Sequence, residues 1–109
     1  MNRSAVETSK VYALKSMISY ADGATVSKIL TKGKNGNTTL FSFDKGESLS
    51  EHTAPFDATA LIIEGKSTIT IAGKAHLLKE GELIIMPANV PHALEATTAF
   101  KMLLIMIKK

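Results

Sequence analysis

The sequence predicts an all-β domain of short strands rolled into a sandwich or barrel, and three features point there. Turn-forming residues recur at close intervals, at Asn35-Gly36, Asp44 to Gly46, Glu64-Gly65, Ala72-Gly73, Glu80-Gly81, 87–91 and 96–98. The segments between them are rich in β-branched and aromatic residues. One of them, residues 67–71, alternates polar and apolar side chains in the order Ser-Thr-Ile-Thr-Ile, so that one face is buried and the other meets solvent or a polar cavity. A chain of 109 residues, 45% hydrophobic and 21% charged, builds one domain with its own modest core.

Taken in order, the first element is the least strand-like. Val11, Leu14, Met17 and Ile18 are spaced closer to a helical period than to alternation, which predicts a short helix or an irregular arm. Asp22-Gly23 breaks that pattern, so residues 1–24 are expected to form an N-terminal arm packed on a barrel of residues 25–109. Segments 27–31 and 38–43 read as a hairpin closed by Asn35-Gly36, a pair that provides the positive φ angles of a tight turn. Segments 60–63 and 83–86 are apolar on both faces, which predicts cover from a second sheet or a second subunit and hence a homodimer. The last apolar run, 102–107, has the length of one core strand and is flanked by lysines.

Composition removes several classes of function. The chain has no cysteine, so it has neither disulfides nor thiolate metal ligands, and a cytoplasmic location is expected. Residues 1–10 are polar and do not resemble a signal peptide, and no apolar run is long enough to span a bilayer. The net charge is +3, but Lys28, Lys32, Lys34, Lys45, Lys66, Lys74, Lys79 and Lys101 are scattered, mostly beside turns. That distribution reads as a solvated surface and not as a nucleic-acid face, and no helix-turn-helix is present. Glu51, Glu64 and Glu82 adjoin turns and read the same way.

Chemistry concentrates in two stretches. In the first, Gly46 is followed by His52 and then by Gly65; in the second, Gly81 is followed by Pro87 and His92. These spacings resemble the paired motifs of the cupins, over residues 25–107, and the runs 50–58 and 86–93 are similar to a subgroup of small single-domain cupins of the conserved-barrel type. The resemblance implies a double-stranded β-helix, or jelly-roll, barrel. It also implies an interior site in which two histidines and a carboxylate of the first motif join a histidine of the second to hold iron, manganese, nickel or zinc.

Here those motifs are degenerate. Ala54 stands where the second histidine belongs and Ala58 where the glutamate belongs, leaving His52 and His92 as the matching ligands. Asp57 is one position from the carboxylate site, which turns it to the other face of a strand unless a bulge intervenes; with a bulge, His52, His92 and Asp57 imitate a two-histidine, one-carboxylate site. His76 matches neither motif. The small residues Ala54, Ala58 and Ala60, with Met86 and the lid residue Phe56, are expected to shape a pocket around the two histidines, and Phe41, Phe43, Phe100, Met102, Leu104 and Met106 are further candidates for its apolar wall.

Three functions follow. The first is binding of a small organic molecule in the barrel, with metal weak or absent. The second is a metal-dependent oxygenase or isomerase built on His52 and His92, using one divalent transition metal. The third is metal-free acid–base catalysis by the same imidazoles.

Overall fold

The computed structural model describes residues 6–108, so the first five residues of the expected arm and Lys109 lie outside the description. A single 3₁₀ turn, Leu14–Ser16, is followed by nine strands: β1 (Thr25–Gly33), β2 (Gly36–Phe43), β3 (Ser48–His52), β4 (Asp57–Glu64), β5 (Lys66–Ile71), β6 (Lys74–Lys79), β7 (Leu83–Met86), β8 (His92–Ala96) and β9 (Phe100–Ile107). They form two antiparallel sheets, one ordered β1-β2-β9-β4-β7 and the other β3-β8-β5-β6. This is the jelly-roll arrangement. Alternation along β4 turns Ala58, Ala60 and Ile62 into the space between the sheets, where they meet Ile69, Leu78 and Leu94 of the facing sheet. Phe43 and Phe100 stack at one end of this core, with ring centroids 4.6 Å apart.

The outer face of the five-stranded sheet carries a second apolar cluster. Ile18, with Leu14 and Met17, packs over Leu40, Ile63, Leu61 and Leu103, so the residues spaced like a helix form an irregular arm whose one helical turn among the described residues is Leu14–Ser16. Cover on β4 therefore comes partly from the arm. On β7, Leu83 and Ile85 remain 57% and 55% exposed.

Polar contacts pin the arm where the sequence reading expected only solvated charges. Lys101 is buried, at 8% exposure; its Nζ donates to the Lys15 carbonyl at 2.6 Å, lies 3.6 Å from the Glu64 carboxylate and sits over the Tyr20 ring. Glu64 in turn accepts from the Tyr20 hydroxyl at 2.5 Å, and Ser42 Oγ donates to the Ser19 carbonyl at 2.9 Å. Lys101 and Glu64 are thus corrected from surface charges to a half-buried cluster, because the arm lies over them. Glu82 does remain exposed, tied to Lys79 through both its backbone N–H and its ammonium.

The first hairpin also differs from expectation in its detail. Gly33 pairs with Gly36, so the loop residues are Lys34 and Asn35, and none of Lys34, Asn35 and Gly36 takes a positive φ. Gly36 is required for another reason: a Cβ there would collide with the Met106 carbonyl of β9.

Candidate functional site

The two histidines meet across the β3–β8 pair, in direct register with each other. On β8, His92 and Leu94 point the same way because they are two residues apart. On β3, Leu49 and His52 are three apart and would fall on opposite faces of a regular strand. A register shift between them, with Ser50 and Glu51 opposing the single residue Ala93, restores His52 to the inner side. The rings then lie 4.4 Å apart between centroids, edge to face.

Backbone carbonyls orient both imidazoles. Nδ1 of His52 is 2.7 Å from the Ser50 carbonyl oxygen, and Nδ1 of His92 is 3.2 Å from that of Val90. A carbonyl oxygen only accepts, so Nδ1 is the donor in each ring, and in the neutral imidazole Nε2 is left with its lone pair. No hydrogen bond among the described residues engages either Nε2.

Both rings line a cavity of about 190 Å³. Its other lining residues are apolar throughout: Ala54 and Phe56 from the loop between β3 and β4, Ala58 from β4, Met86 from β7, Leu49 and Leu94 beside the histidines, and Phe41, Met102, Leu104 and Met106 from β2 and β9. His52 and Phe56 stand at the more exposed end, whereas His92 is 5% exposed.

The remaining expected site residues lie elsewhere. Ala60 is corrected from pocket to core: it is fully buried and does not line the cavity, lying one inward position further along β4 than Ala58, between Ile84 and Leu104 of the neighbouring strands, within the core cluster. Phe43 and Phe100 are likewise core, stacked on each other away from the cavity. Asp57 does not join the histidines. It precedes the inward-facing Ala58, and its Oδ1 accepts from the Ala88 N–H at 2.9 Å, while the Asn89 N–H donates to the Ala54 carbonyl at 2.7 Å. Those two bonds clip the β3–β4 loop to the β7–β8 loop and so hold the loop bearing Phe56. His76 is on the edge strand β6, away from the cavity. Leu49 and Leu94, by contrast, were not anticipated as lining; their signal was placement two or three residues from each histidine.

Sequence comparison matches residues 39–108 to the cupin domain model. The chain belongs to the cupin domain family. Solved structures agree with this. A conserved Streptococcus pyogenes protein of unknown function is 36% identical, with a TM-score of 0.90, over 95% of this chain and 91% of that one. A cupin 2 conserved barrel domain protein from Leptotrichia buccalis is 44% identical with a TM-score of 0.86; 89% of this chain matches, but it spans only 47% of that chain. A cupin superfamily protein from Desulfitobacterium hafniense is 28% identical, TM-score 0.90, over the full length of both. Curated proteins give no significant match.

As a cupin, this chain presents a donor set that does not fit the divalent metals its fold implies. Two imidazoles face the cavity; Ala54 and Ala58 stand at the positions where the motif would place the other two ligands, and Asp57 is engaged by the Ala88 N–H. Among the described residues, no three histidine, cysteine, aspartate or glutamate side chains come together. A divalent ion in so apolar a site would keep its full charge without a carboxylate to offset its desolvation.

Proposed function

We propose that this cupin binds a compact, uncharged organic molecule that carries a hydrogen-bond donor, with His52 and His92 as its polar contacts. The observation that carries this reading is an apolar cavity whose polar features are two imidazole nitrogens left without protons. Apolar walls select a largely apolar body, and a lone pair in such a setting selects a hydroxyl or N–H group. The volume of about 190 Å³ suits a ligand near the size of one aromatic ring, since an apolar cavity of roughly 150 Å³ is enough to take up benzene.

Phenol and toluene, nearly equal in shape and differing in the hydroxyl, test this by NMR titration. Phenol should perturb the lining residues and bind about tenfold tighter than toluene, a difference worth about 1.4 kcal/mol. His92→Ala should erase that preference. Equal affinities, or no perturbation by either probe, would overturn the reading.

The same reading includes a homodimer in the cytoplasm, with the absence of cysteine as the support for location. Support for the dimer is the outer face of the five-stranded sheet, where Leu61, Leu83 and Leu103 form one cross-strand row and Ile85 and Ile105 belong to the next. Leu83, Ile85 and Ile107 are each more than half exposed. Among the described residues no helix is long and apolar enough to cross a membrane.

A further inference from the structure

Sulfur is the cavity's unexplained chemistry. Met86, Met102 and Met106 all line it, although the chain has only five methionines. Strand register sets two of them on either side of one residue: Ala58 pairs with Met86 on β7 and with Met106 on β9. Directly opposed residues share a face, with Cβ atoms about 4.5–5.5 Å apart. At the position where a metal-holding cupin would place its carboxylate, this chain therefore has a methyl group flanked by two thioethers. The imidazoles of His52 and His92 line the same cavity from the other sheet, with Nε2 unengaged.

We propose that the cavity binds one soft monovalent ion, Cu(I), between Nε2 of His52 and His92 and the thioether sulfurs of Met86 and Met106. Thioether is a poor ligand for hard divalent ions and a good one for Cu(I), and imidazole serves copper as well. All four donors are neutral. The desolvation cost of an ion grows with the square of its charge, so a monovalent ion entering this apolar site without a carboxylate pays about a quarter of what a divalent one pays. The donor set that excludes the divalent metals of the fold is thus the set that suits Cu(I). This inference shares with the proposed function only the premise that the two Nε2 atoms face the cavity.

The test uses metal-free, full-length protein labelled with ¹³C in the methionine methyl groups. It is titrated anaerobically with Cu(I), with Ag(I) as a soft ion of the same charge, and with Zn(II). Met86 and Met106 should shift together and saturate at one Cu(I) or Ag(I) per chain, while Zn(II) moves neither. Met17, which belongs to the arm and packs on the opposite face of the sheet, is the internal reference and should stay in place. In competition with a chromophoric Cu(I) chelator, M86L/M106L should bind Cu(I) about tenfold or more weakly. Methionine-to-leucine exchange conserves volume, so the variant should retain its fold. Unmoved Met86 and Met106, saturation only above one ion, unchanged affinity in the variant, or Zn(II) bound as tightly as Cu(I) would each overturn the proposal. Phenol binding to the metal-free protein is measured separately, so its outcome judges the small-molecule reading alone.

Discussion

At the scale of single residues, the site is defined as much by two alanines as by two histidines. If Ala54 and Ala58 occupy metal-ligand positions, restoring them should restore the metal: Ala54→His with Ala58→Glu is expected to bind about one equivalent of zinc or manganese in equilibrium dialysis, where the parent protein binds neither. His92→Ala should remove the preference for phenol over toluene yet lower stability by only about 1 kcal/mol, because the ring already borders a cavity and makes one backbone hydrogen bond. The Tyr20–Glu64–Lys101 cluster gives a pH signature. The Tyr20 hydrogen bond, with Lys101 and Lys15 nearby, holds the Glu64 carboxyl below its ordinary 4.5 against the opposing effect of burial. A lowered pKa favours the folded state above the unfolded value, and that stability is lost as the pH falls through the folded one. Partial burial, and then Glu64, push the Tyr20 phenol upward, so its contribution is present below its unfolded value and lost as the pH rises through the raised one. Thermal melts should show Glu64→Gln with a shallower acid limb and Tyr20→Phe with a shallower alkaline limb, the latter costing about 1 kcal/mol at neutral pH.

At the scale of elements, glycines and bulges decide what side-chain patterns leave open. Gly36→Ala forces a Cβ onto the Met106 carbonyl and should cost about 1–3 kcal/mol by denaturant titration. Gly33→Ala at the other side of the same loop meets open space and should change stability by less than about 0.5 kcal/mol. The pairing of these strands was legible in the sequence because two apolar runs flank a polar loop; the loop's register was not, since Asn35-Gly36 signals a turn equally well when its glycine is needed for close approach. The same limit hid the placement of His52. Alternation from Leu49 sends it outward, and only the bulge opposite Ala93 turns it in. Asp57, one residue from Ala58, kept the outward sense that alternation assigns, and its bond to Ala88 explains its presence without a ligand role.

At the scale of the whole molecule, the jelly roll and its family were legible from Gly46, His52, Gly65, Gly81, Pro87 and His92, because these positions serve turns and site geometry that the fold imposes. Long-range cover was not legible. Lys101 looks like any strand-flanking lysine until the arm, eighty or so residues earlier in the chain, is laid over it. Ala60 looks like pocket until Ile84 and Leu104 are seen beside it. The outer sheet face makes a prediction of its own: light scattering should find a dimer, and Leu83→Lys with Ile85→Lys should give a monomer that melts in the same cooperative manner, because both side chains are already exposed within one protomer.

The central proposal is that this cupin, with a pocket and two histidines at the family's motif positions, does not hold a divalent metal there. Elemental analysis of untagged protein, purified without chelator and compared with the His52→Ala, His92→Ala variant, tests it most directly. Iron, manganese, nickel and zinc should all fall far below one equivalent in both proteins, copper being the one metal whose presence is compatible with the donor set. About one equivalent of any of those four metals, lost in the variant, would contradict the account and return the pocket to the divalent metal centres of its fold.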